Sequence, residues 1–180
     1  MSNRYKDTNL STISNKKIFF DTNILIFIFW STTSEWEPKY SKVYSTIEKQ
    51  NNEFFISLTV LSEFINRIMQ FDYSYYLKDK NLKRSEFSFK EFRNTSIGQE
   101  TLDDLYTFIK EELLIDFKIV DHHFTQEDII SICKLDTLDI NDKIILKICK
   151  EHELILLTND GDFKDSDIDI ISCNSYLTNC

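Results

Sequence analysis

Four acidic side chains stand where predicted strands end or where predicted helices begin. Asp21 directly follows the apolar run 18–20, and Asp160 directly follows a later apolar strand. Glu63 lies about two turns into a predicted helix, and Asp142 lies in the first turn of another. Two carboxylates about 4 Å apart repel by a few kcal/mol at an effective dielectric of ~20, so such a cluster requires a cation. These acids predict a site for Mg²⁺ or Mn²⁺, which both prefer oxygen ligands.

This kind of site has a defined chemistry. A carboxylate-held metal pair activates a water for attack on a phosphodiester and stabilises the departing oxygen. The predicted reaction is direct attack by water, with no covalent enzyme intermediate. Glu63 or Asp142 would position the water, and the sequence leaves both assignments open. Asp162, two residues after Asp160, is a further candidate ligand.

Each acid also has an ordinary structural interpretation. Asp21 is a common helix-capping residue, and Asp142 in a first turn would be stabilised by the helix dipole. Asp160 begins an Asp-Gly pair, which is frequent in turns, and Glu63 is compatible with a solvated helix face. The metal-site prediction therefore depends on the joint placement of the four acids and not on any one of them.

The elements that must position these acids alternate between strand and helix. Predicted strands cover residues 18–20, 53–57, 117–121, 153–158 and 167–172. Predicted helices cover 23–30, 38–50, a segment that starts at Ser57 or Thr59, 99–116, 125–135 and 139–151. Such alternation predicts an α/β fold, a three-layer α/β/α arrangement with a parallel sheet of about five strands. Functional groups in such sheets collect at the carboxyl ends of the strands.

Length and composition fit one domain with a sizeable core. The chain has 180 residues, 42% of them hydrophobic, with only 2 Gly and 1 Pro. The apolar run 18–30 is shorter than the roughly 20 residues that span a bilayer and lacks the features of a signal peptide. We therefore expect a cytoplasmic protein without a membrane segment. Free thiols are expected at Cys133, Cys149, Cys173 and Cys180.

The charge distribution is uneven. The net charge of −9 argues against a protein that simply coats a nucleic-acid backbone. However, residues 1–97 carry 14 Lys and Arg against 11 Asp and Glu, whereas residues 98–180 carry 7 against 19. Within residues 75–93, basic and aromatic side chains alternate, which suits binding of single-stranded nucleic acid. The candidate RNA contacts are Lys83, Arg84, Lys90 and Arg93. The alternative is a helical hairpin whose aromatic side chains pack inward, and the two interpretations are compatible.

Two other polar features are expected to have ordinary roles. The adjacent pair His122 and His123 follows the third predicted strand, and we expect a surface or strand-end role rather than metal ligation. Lys143 stands next to Asp142 and either contacts a phosphate or is solvated, of which we favour the solvated interpretation.

The chain resembles the PIN-domain ribonucleases, many of which are the toxin halves of VapC-like toxin–antitoxin pairs in bacteria and archaea. The matching segments are FFDTNILI, SLTVLSEFINR, INDKIILKIC and LILLTNDGDF, and the resemblance covers roughly residues 16–172. It implies that Asp21, Glu63 and Asp142 hold Mg²⁺ or Mn²⁺, with Asp160 as the fourth acid and Asp162 as a substitute or supporting acid.

The resemblance also implies two supporting residues and a set of partners. Thr158 would orient an acid or a water, and Asn23 would fix the turn after Asp21. The substrate would be single-stranded or loop RNA, the protein would form a homodimer, and a small antitoxin would insert into its groove. The expected organisation is a single PIN-like nuclease domain over residues 1–180 with a helical insertion around 73–97.

Two other functions remain as alternatives. A haloacid-dehalogenase-like phosphatase also begins with a strand followed by Asp, and Asp21 would then be a nucleophile. That family has a second Asp two residues later, where this chain has Asn23. The other alternative is a catalytically inactive PIN fold that serves as a binding module, although all four acids are present.

Overall fold

A six-stranded parallel sheet forms the centre of the protein in the computed structural model, which describes residues 2–7, 9–30 and 34–178. The strands are β1 (Arg4–Tyr5), β2 (Lys17–Phe20), β3 (Glu53–Ile56), β4 (Phe117–Ile119), β5 (Ile155–Leu157) and β6 (Ile170–Ile171). Their order is β1-β6-β5-β2-β3-β4, and each neighbouring pair is parallel. The predicted three-layer α/β/α fold is confirmed.

The sheet has one strand more than the sequence analysis predicted. Strand β1 contains only Arg4 and Tyr5, which pair with Ile170 and Ile171 of β6. Two residues without an apolar run carry no periodicity that would predict a strand. Its existence depends on pairing with a segment at the other end of the chain.

The helices follow the predicted order, with differences at their ends. They are α1 (Thr22–Phe29), α2 (Glu37–Glu48), α3 (Leu58–Asp79), α4 (Phe89–Arg93), α5 (Ser96–Phe108), α6 (Leu114–Asp116), α7 (Gln126–Ile132), α8 (Ile140–His152) and α9 (Ser175–Thr178). Short 3₁₀ turns cover Leu10–Thr12 and Gly161–Asp165. The helix predicted over 99–116 is not continuous α-helix, because a π-helical turn at Ile109–Leu113 separates α5 from α6.

Strand β2 lies inside the sheet, between β5 and β3. Its residues Ile18, Phe19 and Phe20 are completely buried, as expected for a parallel strand that is covered on both faces. The Phe20 ring contacts the rings of Phe54 and Phe117 with centroid distances of 5.1 and 4.8 Å. This packing holds rigidly the strand that ends at Asp21.

Most aromatic side chains of residues 73–97 pack on one another, whereas Tyr75 is exposed. The ring of Tyr76 lies 5.4 Å from the rings of both Phe87 and Phe92, and Tyr73 lies 5.7 Å from Phe92. The packed helical arrangement that the sequence left as an alternative is therefore present. The assignment of this segment as an insertion, and of residues 1–180 as one domain, stays a prediction.

Two expectations from composition can be compared with the described residues. Within 2–7, 9–30 and 34–178, no helix is both long enough and apolar enough to cross a membrane. Cys133, Cys149 and Cys173 are free thiols, and Cys149 is buried. The fourth cysteine of the prediction, Cys180, lies outside the described residues.

Candidate active site

The predicted acids line one cavity at the carboxyl end of the sheet. Phe20 of β2 is paired with Leu157 of β5, and the Asp21 amide donates to the Leu157 carbonyl at 3.1 Å. This pairing brings the ends of the first and fourth predicted strands together. The cavity has a volume of about 410 Å³. Its acidic lining residues are Asp21, Glu63, Asp139, Asp142, Asp160 and Asp162.

Asp21 is a buried carboxylate that is held by three donors. Its Oδ1 accepts from the Thr22 amide at 2.6 Å, and its Oδ2 accepts from Asn23 Nδ2 and Thr158 Oγ1, each at 2.6 Å. Only 7% of the residue is exposed. Burial raises the pKa of Asp21 to about 6 despite these hydrogen bonds, and the charges of Asp160 and Glu63 raise it further. Ionisation of Asp21 is therefore unfavourable in this environment, because burial and the neighbouring acids both oppose it.

Thr158 and Asn23 join the two strand ends. The Thr158 hydroxyl is buried and, besides donating to Asp21, accepts from the Asp160 amide at 3.0 Å. Asn23 Oδ1 accepts from the Asn159 amide at 3.2 Å. Each side chain thus contacts both strand ends, which is the geometry expected of the supporting residues predicted at these positions.

Glu63 reaches the cavity from the second turn of α3. The Ser57 hydroxyl accepts from the Val60 amide at 3.2 Å and caps this helix, which fixes where Glu63 falls. Glu63 Oε2 accepts from Thr22 Oγ1 at 3.2 Å. Its other oxygen, Oε1, accepts from Arg67 Nε at 3.2 Å and Nη2 at 3.1 Å. Glu63 is therefore ion-paired with Arg67.

Asp142 and Asp139 form a reciprocal cap at the start of α8. The Asp142 amide donates to Asp139 Oδ1 at 3.0 Å, and the Asp139 amide donates to Asp142 Oδ2 at 3.3 Å. Burial raises the pKa of Asp142 to about 7, and the charges of Asp139, Asp160 and Asp21 contribute to this rise. Electrostatic coupling thus connects Asp142 to the acids of the strand ends.

The capping interpretation and the site interpretation apply to the same residues. Asp21 caps α1, Asp139 caps α8, and Asp160 caps the 3₁₀ turn by accepting from the Asp162 amide at 3.0 Å. Each of these N-termini directs amide dipoles towards its carboxylate, which lowers the cost of gathering negative charge there.

A divalent cation suits the donor chemistry of this cavity. The lining carboxylates are hard oxygen ligands. Burial, with a smaller contribution from neighbouring carboxylates, raises the pKa of Asp21 and of Asp142, and a bound cation would offset both effects. Among the described residues, however, no three His, Cys, Asp or Glu side chains lie close enough together to hold a metal ion. Binding would therefore require side-chain adjustment, including release of Glu63 from part of its hydrogen bonding.

Three residues at the site were not predicted from the sequence. Asp139 and Arg67 line the cavity, and Tyr40 of α2 supports the end of β5. The Tyr40 hydroxyl lies 2.9 Å from Asn159 Oδ1 and 3.2 Å from the Thr158 carbonyl, and it accepts from the Cys173 amide at 3.1 Å. The spacing of Arg67, four residues after Glu63, is a helical pair that the sequence contained. No local pattern indicates the contacts of Tyr40.

The four candidate RNA contacts lie away from this cavity. Lys83, Arg84, Lys90 and Arg93 are exposed, and none of them lines it. Lys83 and Arg84 follow the C-terminal end of α3, about 24 Å along the helix axis from Glu63. The aromatic rings between these basic residues pack on one another and do not form a stacking surface for bases. The role of the four basic residues in RNA binding stays a prediction.

His122 and Lys143 have structural contacts. The two nitrogens of His122 contact Asp128, at 3.0 Å, and Glu151, and hydrogen bonds to these carboxylates raise the pKa of His122. Lys143 donates to the carbonyls of Ile132 and Lys134, and its side chain is only 13% exposed. The solvated interpretation that we favoured for Lys143 is therefore wrong, because its ammonium contacts the loop before α8 and also pairs with Asp136 at 3.0 Å. The phosphate-binding interpretation stays untested.

Comparisons with known proteins identify one matching family model and several structures with the same fold. A family model described as the PIN domain matches residues 18–168. A search of curated proteins found no match. Three solved structures share the fold at low sequence identity, so they inform the fold alone.

The first of these structures is VapBC2 from Rickettsia felis bound to a DNA fragment from its promoter, with 16% identity and a TM-score of 0.50. The match covers 87% of this chain and 98% of that one. FitAB bound to an IR36 DNA fragment has 13% identity and a TM-score of 0.52, with coverage of 87% and 94%. FitAcB from Neisseria gonorrhoeae has 15% identity and a TM-score of 0.51, with coverage of 86% and 96%.

Proposed function

The chain belongs to the PIN-domain family, whose members are generally nucleases, and from this membership we propose that it is a metal-dependent endoribonuclease. The proposed substrate is single-stranded or loop RNA. The observation that carries the proposal is the buried carboxylate of Asp21, which stands at the end of the central strand in a cavity lined by five further acids.

Mg²⁺ or Mn²⁺ is the proposed cofactor. Asp21, Glu63, Asp142 and Asp160 would hold it, with Asp162 as an additional oxygen donor. When bound, the metal supplies a polarised water and charge stabilisation for the departing oxygen of a phosphodiester. The raised pKa values of Asp21 and Asp142 support this assignment, because a cation at these carboxylates favours their ionised forms.

The chain's own residues have separable roles in the proposed reaction. Thr158 and Asn23 hold the carboxylate of Asp21 in one orientation through their 2.6 Å hydrogen bonds. Glu63 and Asp142 project from helices rather than from strand ends, and one of them would orient the attacking water by accepting its proton. The water attacks the phosphorus directly, so no covalent bond to the protein forms.

The toxin half of a toxin–antitoxin pair is the proposed biological role. The fold shared with VapBC2 and FitAB supports it, as does membership of the family. In this role a small antitoxin protein would occupy the groove in front of the acids, and the nuclease would act as a homodimer in the cytoplasm.

The test is cleavage of a mixed-sequence single-stranded RNA with Mg²⁺, with Mn²⁺ and with a chelator. The wild type should cleave only with metal, and Asp21→Asn should reduce the rate at least 100-fold. Asp103→Asn, which removes an exposed carboxylate of α5, should cleave like the wild type.

A folded, metal-loaded wild type that cleaves no RNA would contradict the proposal. Hydrolysis of a small phosphomonoester by the same sample would then identify the phosphatase alternative. Failure on both substrates would favour a PIN fold that only binds its partner.

A further inference from the structure

The cavity contains a single cationic side chain. Among the described residues that line it, Arg67 is the only Lys or Arg, against six carboxylates. An RNA phosphate that approaches the acids meets their repulsion, and positive charge at this position reduces it. Arg67 is therefore the residue of this chain best suited to receive the polyanionic substrate.

Arg67 has N–H donors that are not used in its contact with Glu63. A guanidinium carries five N–H donors, and Arg67 uses Nε and Nη2 to contact one oxygen of Glu63. In the described part of the chain its Nη1 makes no hydrogen bond, and 60% of the side chain is exposed. An exposed ion pair of this kind contributes little to stability, so the guanidinium can turn towards a phosphate at small cost.

An aromatic side chain lies one turn further along α3. Phe71 lines the same cavity, is 37% exposed and stands about 6 Å along the helix axis from Arg67. Glu63, Arg67 and Phe71 are spaced at four-residue intervals, so they present a carboxylate, a cation and a ring in a row. The Phe71 ring is therefore accessible to a ligand that enters the cavity.

We propose that Arg67 and Phe71 bind one unpaired nucleotide beside the acidic cluster. Arg67 donates to the phosphate next to the bond that is cut, and Phe71 stacks on the base of that nucleotide. This inference rests on the proposed function and adds the feature by which the site selects unpaired RNA. A base in a duplex is already stacked and cannot lie on a protein ring, whereas a base in a single strand or a loop can.

Binding of a short labelled RNA tests the proposal without depending on turnover. The protein carries Asp21→Asn so that the RNA survives in Mg²⁺, and affinity is measured by fluorescence anisotropy at several salt concentrations. The ligands are an unstructured RNA and the same strand annealed to its complement. Added variants are Arg67→Ala, Arg67→Lys and Phe71→Ala. The matched controls on α3 are Lys78→Ala and Tyr75→Ala, which remove an exposed cation and an exposed ring outside the cavity.

The two residues should give different signatures. Arg67→Ala should weaken binding about tenfold and reduce the slope of log K against log salt by about 0.7, the value for one phosphate contact on a single strand. Arg67→Lys should restore the wild-type slope, because it keeps the positive charge. If Arg67 only held Glu63 in place, Arg67→Ala would leave the slope unchanged. Phe71→Ala should weaken binding to the single strand at least fivefold with an unchanged slope, since stacking is insensitive to salt. The duplex should bind more weakly than the single strand, and Phe71→Ala should not change the affinity for the duplex.

The possible failures are distinguishable. If Arg67→Ala and Phe71→Ala bind like the controls, or if the Asp21→Asn protein binds no RNA, the inference is overturned. Cleavage by the wild type would in that case leave the proposed nuclease function standing. If the wild type cleaves nothing but binding depends on Arg67 and Phe71 as described, the nuclease function fails and the nucleotide site is supported.

Discussion

At the scale of single residues, Asp21 combines strong hydrogen bonding with an unfavourable environment. Three donors contact its two oxygens, yet burial outweighs them and its pKa is raised to about 6. A carboxylate in this condition is stabilised by a cation more than an exposed one is, because less solvent competes for it. This environment is consistent with the metal-binding role proposed for Asp21.

This condition predicts how stability depends on pH without metal. The pKa of Asp21 is about 6 and that of Asp142 about 7 in the folded state, against about 3.9 for Asp in an unfolded chain. Between these values the folded state holds more protons than the unfolded state, so these groups lower the free energy of unfolding as the pH rises from about 4 to 7.

The Asp21 part of this effect amounts to about 3 kcal/mol. Urea unfolding in chelator at pH 4 and pH 8 should show a larger loss of stability for the wild type than for Asp21→Asn, by about that amount. Parallel changes in the two proteins would show that Asp21 ionises normally and would contradict the prediction.

Thr158 provides a second prediction at this scale. Its buried hydroxyl donates to Asp21 at 2.6 Å and accepts from the Asp160 amide at 3.0 Å. Thr158→Val keeps the side-chain shape but removes the hydroxyl from both of its hydrogen-bond partners. This should lower the free energy of unfolding by about 2 kcal/mol and reduce RNA cleavage at least tenfold. Thr158→Ser keeps the hydroxyl and serves as the control. Equal stability and activity of the two variants would show that the hydrogen bonds are dispensable.

At the scale of elements, the site is assembled from strand ends and helix starts. The carboxyl ends of β2 and β5 place Asp21 and Thr158 directly, and the N-termini of α1 and α8 place amide dipoles beside the acids. Helix α2 adds a support that comes from outside the cavity, because Tyr40 contacts the ends of both β5 and β6.

Removal of that support should loosen the loop that carries Asp160. Tyr40→Phe removes the hydrogen-bond partner of partly buried polar groups at Asn159 and Cys173, at a cost of about 1 kcal/mol. We expect the Phe ring to pack as the Tyr ring does and the free energy of unfolding to fall. Cleavage should decrease several-fold, because Asp160 is held less firmly. Tyr44→Phe on the same helix should leave the cleavage rate unchanged, since the Tyr44 ring packs on Phe54 and Phe117. Equal cleavage by the two variants would argue against a role for Tyr40 in the site.

At the scale of the whole molecule, the concentration of acidic charge predicts that the proposed metal cofactor stabilises the fold. The net charge is −9, and the cavity concentrates six acids at one edge of the sheet. A ligand that binds only the folded state stabilises it, by about 2.7 kcal/mol at a concentration 100 times its Kd. The free energy of unfolding should therefore increase with Mg²⁺ or Mn²⁺ in the wild type.

The matched measurement compares the wild type, Asp21→Asn and Asp103→Asn in MgCl₂ and in NaCl of equal ionic strength. The Mg²⁺-specific gain in stability should persist in Asp103→Asn and decrease strongly in Asp21→Asn. An equal gain in all three proteins would indicate general screening of the acidic surface and would contradict a specific site.

The amino-acid sequence by itself determined the alternation of elements and the strand ends at which the acids lie. Buried parallel strands such as 18–20 are local apolar runs, and amphipathic helices have a local period, so both can be recognised from neighbouring residues. Because the carboxyl ends of parallel strands share one edge, local information placed Asp21 and Asp160 at the same edge of the sheet. Their proximity depends on the pairing of β2 with β5, which the sequence did not determine.

Only the tertiary structure decided which distant groups touch. The pairing of β1 with β6 and the contacts of Tyr40 with the ends of β5 and β6 join segments whose local patterns do not indicate one another. Lys143 shows the same limit, since its position next to Asp142 suggested solvent or phosphate while its ammonium contacts the preceding loop. The physical reason is that a side chain's partner is set by packing across the sheet and between loops, which neither spacing nor residue type encodes.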